Sequence, residues 1–339
     1  MRRSPAPPCP RSPCAWAPHS RTERRCGKVR PLVVARRQMR IGVIGLGAIG
    51  GVTAQRLLDA GFEVSLGAGR LVEEIAAKFP RARVGKSLPD GEYGLILLCV
   101  RTADTERALA PAAPLLKPDG AVVCLQNGLP EERAARIVGA QRVLGAVIGW
   151  SATMTEPGEY VITGGGKFIL GGDSARLEHA RLVLQHAFPV RVTYNLAGAR
   201  WSKLAMNCAM STLGAITGFS LGELAARRYV RTLALRIVAE VVGAARARGV
   251  KLEPVAGLRP DWLVRLPAPL AHAAVWLAAR RRPKQKSGMI ARLQQGRPAG
   301  IEDLNVLIDA PLNNALVRQV RQIERGERRI SPQNLGELL

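Results

Sequence analysis

The chain has 339 residues, enough for two domains, and its 47% hydrophobic content is that of a packed globule, which excludes disorder throughout. The longest apolar stretch, Trp262 to Ala279, is broken by Arg265, Pro267 and Pro269, so no helical membrane span is expected. A net charge of +24 suggests nucleic acid at first sight, but the excess is 41 Arg scattered along the whole chain, and only 4% aromatic residues leaves few side chains for bases to stack on. Nucleic-acid binding is therefore disfavoured, while small anionic ligands such as phosphates and carboxylates suit a basic body.

Residues 1–38 are rich in Pro, Arg and Ser, carry a net +9, and show no periodicity; they read as a disordered basic extension. Their composition is like that of a transit peptide, yet their prolines oppose the amphipathic helix such a signal needs, and Met39 is the favoured natural start because a strand begins at Arg40. Cys9, Cys14 and Cys26 lack the close paired spacing of a zinc site, and only four His exist, so no metal is expected. Cys99, Cys124 and Cys208 lie in apolar runs, as free core thiols do, which fits a reducing, cytoplasmic setting.

From Ile41 the pattern is regular. Ile41–Ile44 predicts a strand, and a helix follows with Gly50, Gly51, Ala54, Leu57, Leu58 and Gly61 on one face. Further strands are expected at Phe62–Leu66, Leu95–Val100 and Ala121–Leu125, with helical segments near Thr102–Leu116 and Glu131–Val138 between them. More β structure is expected at Val143–Trp150, Tyr160–Thr163 and Phe168–Leu170. This alternation predicts a Rossmann-type, doubly wound parallel sheet over residues 39–197. Beyond it only long helices are expected, chiefly Ala199–Leu213 and Leu221–Arg248 with Gly249 as the stop, giving an all-α domain over 198–339.

Gly45-Leu46-Gly47-Ala48-Ile49-Gly50 is a GxGxxG placed between that first strand and helix, the context in which backbone N–H groups cradle a pyrophosphate. At the end of the second strand, Leu66-Gly67-Ala68-Gly69-Arg70 has no acid for ribose hydroxyls. Arg70 is instead suited to the 2′-phosphate of NADP, the alternative being a solvated surface arginine. Arg101 and Gln126-Asn127-Gly128 end the next two strands, where ligands collect in open α/β sheets. In Trp201-Ser202-Lys203-Leu204-Ala205-Met206-Asn207-Cys208-Ala209-Met210-Ser211, the residues Lys203, Asn207 and Ser211 form one polar stripe on an otherwise apolar helix. A buried helix must turn such a stripe toward a polar cleft, although Lys203 at a helix start can also reach water.

GLGAIG, Gln126-Asn127-Gly128, Trp201-Ser202-Lys203-Leu204 with Asn207, and Gly222-Glu223-Leu224 together resemble the ketopantoate reductases, from Met39 almost to the C-terminus. The resemblance implies an NADPH-binding Rossmann domain joined to a helical domain and reduction of 2-dehydropantoate to pantoate, a step toward pantothenate. By the same resemblance Lys203 is the catalytic lysine, Asn207 binds substrate, Asn127 faces cofactor and substrate, and Arg101 stands where the family has a phosphate-side Lys. The family's 2′-phosphate arginine falls on Gly69, one place before Arg70. A Ser-Ser-Met segment and a Glu that bind substrate in the family are here Ser287-Gly288-Met289 and Gly300, with Glu302 two residues later. Ser211, Ser287 and Glu302 are the remaining expected substrate contacts. Only five residues separate Asn305 from Pro311, where the family has a longer helix. Reduction of a different small 2-keto acid, or a silent NADP-binding protein, are the alternatives, and a homodimer is left open.

Overall fold

The computed structural model describes residues 39–173 and 175–339; the expectations for residues 1–38 lie outside them. Ten strands form: β1 (Arg40–Ile44), β2 (Glu63–Gly67), β3 (Arg83–Gly85), β4 (Tyr93–Leu98), β5 (Leu116–Cys124), β6 (Val143–Ile148), β7 (Ser151–Glu156), β8 (Glu159–Gly164), β9 (Phe168–Gly171) and β10 (Val190–Thr193). Eight of them make one sheet in the order β3-β2-β1-β4-β5-β6-β9-β10. The first six places are the Rossmann order, with every pairing parallel; β9 then runs antiparallel to β6 and parallel to β10. The near-continuous apolar runs of β4 and β6 follow from helices covering both faces, which leaves no solvated side to demand alternation.

Several boundaries differ from expectation. β5 starts at Leu116, because the Thr102–Leu116 segment is not one helix: Pro111 and Pro114 restrict α structure to Thr105–Leu109, flanked by 3₁₀ turns. The Tyr160–Thr163 strand exists but is not in the main sheet. It pairs antiparallel with β7 in a separate hairpin that lies on helix α1 (Ala48–Asp59).

After β10 the chain is helical. Helix α2 (Glu131–Val138) belongs to the sheet layer, whereas α3 (Leu196–Met206), a π-helical turn at Asn207–Ser211, and α4 (Thr212–Thr217) open the helical part. The expected single helix over Leu221–Arg248 is two: Leu221–Ala226, closed by extended backbone at Arg227, and α5 (Arg228–Ala247), stopped by Gly249 at φ +69°. Glu223, in the Gly222-Glu223-Leu224 segment, completes a capping box with Ser220. Then come α6 (Ala268–Arg280), α7 (Gly288–Gln294) and α8 (Pro311–Glu324). Among the described residues no helix is long and apolar enough to cross a membrane.

Candidate active site

The glycines after β1 have different physical duties. Gly45 adopts φ +95°, and a Cβ there would lie 2.8 Å from the Val100 amide nitrogen, so only glycine makes this turn. Gly50 packs its helix onto the strand so closely that a Cβ would sit 2.0 Å from the Gly45 carbonyl oxygen. Gly47, at the N-cap of α1, has open space around the Cβ position, no side-chain cap and no acid in the first turn. Its helix therefore offers uncapped N–H groups and the positive end of its dipole to an anion, and the loop fits a dinucleotide pyrophosphate. Leu46, Ala48 and Ile49 complete the loop, with Ile49 on the wall of the cleft below.

One support of this loop was not expected. The Tyr160 hydroxyl donates to the Leu46 carbonyl at 2.9 Å, and the ring lies where a Cβ on Gly51 would be, 1.9 Å from its Cζ. Gly51, a fourth glycine that the fingerprint does not require, is the signal of it in the sequence. Burial pushes the Tyr160 phenol up to about 12, so it stays a donor at any ordinary pH.

Arg70 is exposed in the loop after β2. That loop abuts the glycine turn, since the Gly45 N–H donates to the Gly67 carbonyl at 3.1 Å, and it is anchored on its other side by the Gly69 N–H, which donates to the Lys86 carbonyl after β3 at 3.0 Å.

A cleft between sheet and helices gathers Lys203, Asn207 and Ser211 from one side with Arg101 and Asn127 from the strand ends, and Ser287 beside them. The stripe survives the π turn because its i→i+5 bonding widens the turn while keeping i+4 positions near one face. Lys203 is the most perturbed of these groups. Burial, with the like charge of Arg282 as a smaller cause, lowers its ammonium to about 8. Arg282 lies across the cleft mouth, donating to the carbonyls of Gly149 and Gly165 in the sheet domain. Arg101 donates to Asp104 at 2.9 Å. Ser287 caps α7, its hydroxyl oxygen accepting from the Met289 N–H at 3.2 Å, and so has its own proton left to give. Trp150, 3% exposed, forms part of the wall and stacks on Phe188 with ring centres 4.1 Å apart.

Glu302 is elsewhere. Its exposed carboxylate accepts two hydrogen bonds from Arg321, at 2.7 and 3.1 Å, outside the cleft. Gly300 does take the left-handed conformation that such a turn requires, φ +91°, but the 3₁₀ turn that follows brings the next residue round, so Asp303 is the acid in the cleft. Burial raises the Asp303 carboxyl above its ordinary range even though the N–H groups of Thr102 and Ala103 donate to it. Arg292, which sequence reasoning missed, lines the same end of the cleft.

The turn Gln126-Asn127-Gly128 is held by Arg200, 4% exposed, which donates to the carbonyls of Gln126 and Cys124 at 2.6 and 2.8 Å and pairs with Glu131 at 2.5 Å. The Asn127 carbonyl accepts from the Thr102 hydroxyl at 2.8 Å. Among the described residues no group of three His, Cys, Asp or Glu could hold a metal.

Residues 41–174 match the family described as ketopantoate reductase PanE/ApbA, and residues 195–324 match that family's C-terminal part. A 2-dehydropantoate 2-reductase of Pyrococcus horikoshii is 28% identical over 231 residues, 63% of this chain and 76% of that one. One of Mesorhizobium japonicum is 25% identical over 85% of this chain and 99% of its own length. The crystal structure of a PanE/ApbA family ketopantoate reductase from Ralstonia eutropha JMP134 superposes with a TM-score of 0.72 at 27% identity, covering 85% of this chain and 99% of that one.

Proposed function

Because this chain belongs to the ketopantoate reductase family, we propose that it is an NADPH-dependent reductase of a small 2-keto acid, with 2-dehydropantoate as the reference substrate. The observation that carries this reading is the position of Lys203, half-buried in the cleft that adjoins an uncapped glycine turn. The turn Gly45–Gly50 would hold the pyrophosphate, Arg70 the 2′-phosphate, and Arg101 and Asn127 the side of the dinucleotide nearest the cleft. Bound NADPH supplies the hydride.

The chain's own part follows from charge. Reduction of a keto carbon builds negative charge on its oxygen; Lys203 donates a hydrogen bond to that oxygen and then the proton. Asn207, Ser211 and Ser287 are placed to orient the substrate, which lowers the barrier by removing unproductive poses. Asp303 takes the place expected for Glu302 as the acid in the cleft. The free thiols Cys99, Cys124 and Cys208 fit work in a reducing cytoplasm.

The test is NADPH oxidation with a panel of 2-keto acids. Lys203→Ala is expected to lower turnover about 100-fold or more while cofactor affinity is kept, as for a group acting at the transition state; near-normal turnover removes the assignment. In the same assay NADPH should be preferred to NADH, and Arg70→Ala should abolish that preference by weakening NADPH alone.

A further inference from the structure

Arg292 is a half-buried guanidinium that no described carboxylate or carbonyl satisfies. It lies on α7 one turn after Gly288 and Met289, so the three share the face that lines the cleft. That helix starts next to the end of the polar stripe, since a Cβ on Gly214, three residues beyond Ser211, would lie 3.4 Å from the Ser287 Cβ. The other wall at this point is Gly300, where a Cβ would be 3.0 Å from an Arg292 guanidinium nitrogen. With no Cβ at position 300, the guanidinium sits against bare backbone there.

Asp303 attracts Arg292 through space but makes no direct ion pair with it. Its carboxylate is engaged by the Thr102 and Ala103 amides. The nearest charges besides Asp303 are the cations Arg101 and Arg297. Of the cleft cations, Arg101 is paired with Asp104 and Arg282 is bonded to carbonyls, which leaves Lys203 and Arg292 facing one acid, Asp303. An unpaired guanidinium whose five N–H donors open onto the cleft is a ready receptor for an anion.

We propose that the substrate is a 2-keto acid with a second carboxylate, held by Arg292 in the space that Gly300 leaves open. The proposal rests on the reductase reading: Lys203 works at the keto end, and Arg292 selects the distal group. Arg292 is a specificity-determining residue in this scheme and takes no part in hydride or proton transfer.

Steady-state kinetics with NADPH compare 2-oxoglutarate and 2-oxoadipate with 2-oxopentanoate, which lacks the second carboxylate, and with ketopantoate. The best diacid should exceed ketopantoate in kcat/KM by about tenfold or more. Arg292→Gln should lower that value by about 30-fold, through KM, with under about threefold change for 2-oxopentanoate, and Arg292→Lys should restore part of it. Calorimetric titration of the same diacid into protein loaded with NADP⁺ should show the same loss of affinity, while the variant's affinity for NADP⁺ itself, which reports its fold, is unchanged. Equal losses for diacid and monoacid would mean that Arg292 holds the carboxylate common to both, and would overturn the proposal. So would efficient reduction of ketopantoate with no diacid accepted, an outcome that leaves the reductase reading intact. If no 2-keto acid oxidises NADPH although calorimetry shows it bound, the reductase reading falls and takes the proposal with it.

Discussion

Lys203 must carry its proton to deliver it, and its ammonium titrates near 8 because burial and Arg282 both disfavour the charge. The protonated fraction of the free enzyme falls as pH rises through that value, so kcat/KM for reduction should be flat below about pH 7 and decline tenfold per unit well above 8. Removing the like charge with Arg282→Gln should raise the ammonium's pKa and carry the alkaline limb to higher pH; a kcat/KM profile measured on both proteins checks the direction. Lys203, Asn207 and Ser211 could be found in the sequence because a polar stripe on a buried helix must either meet a polar cleft or go unsatisfied. Glu302 could not be distinguished from Asp303. Which of two adjacent acids enters a cleft depends on how a 3₁₀ turn after a left-handed glycine rotates the chain, and spacing alone carries no such information. Arg292 was hidden differently, as one guanidinium among 41.

The π-helical turn between α3 and α4 is held by a tertiary contact. The Thr212 N–H reaches back to the Asn207 carbonyl, and the Cys208 carbonyl that it would meet in an α-helix instead accepts from Asn305 Nδ2 at 3.1 Å. Asn305, fully buried, also accepts from the Thr212 hydroxyl at 2.7 Å and donates to Asn313 Oδ1 at 2.8 Å. Asn305→Leu should therefore cost about 2–3 kcal/mol in urea unfolding, since it orphans buried polar partners. It should also lower kcat by relaxing the turn that sets Asn207 against Lys203. The sequence showed a helix here but not its π turn, whose determinant lies almost 100 residues away. Strands followed the same logic: β4, β6 and, after Arg40, β1 were legible as continuous apolar runs, whereas β3, β7 and β10 are short or largely exposed and carry no comparable pattern. The break at Arg227 had no glycine or proline to announce it.

Two of the arginines that tie the sheet domain to the helices lie at the cleft. Arg200 reaches from α3 to the end of β5 and to Glu131 on α2, while Arg282 crosses the mouth of the cleft to the carbonyls of Gly149 and Gly165. Arg200→Met should destabilise the protein by about 3 kcal/mol, because it strands a carboxylate and two carbonyls beneath the joint. It should weaken binding of both the keto acid and NADPH, since Asn127 faces both, while the pyrophosphate contacts of the glycine turn, which lies away from Arg200, are kept; thermal unfolding and kinetics on one preparation separate the loss of stability from the loss of binding. Length allowed two domains and the change from strands to helices suggested a boundary near Ala197, but the side chains that join sheet and helices are indistinguishable by type from the surface arginines. The placing of Trp150 has an optical consequence. Trp262 and Trp276 are exposed, and Trp201 is buried on α3, whereas the indole of Trp150 forms part of the cleft wall. Its emission overlaps the absorption of a reduced nicotinamide, so a dinucleotide filling the cleft would quench it by resonance energy transfer, giving the protein a built-in fluorescent gauge of cofactor occupancy.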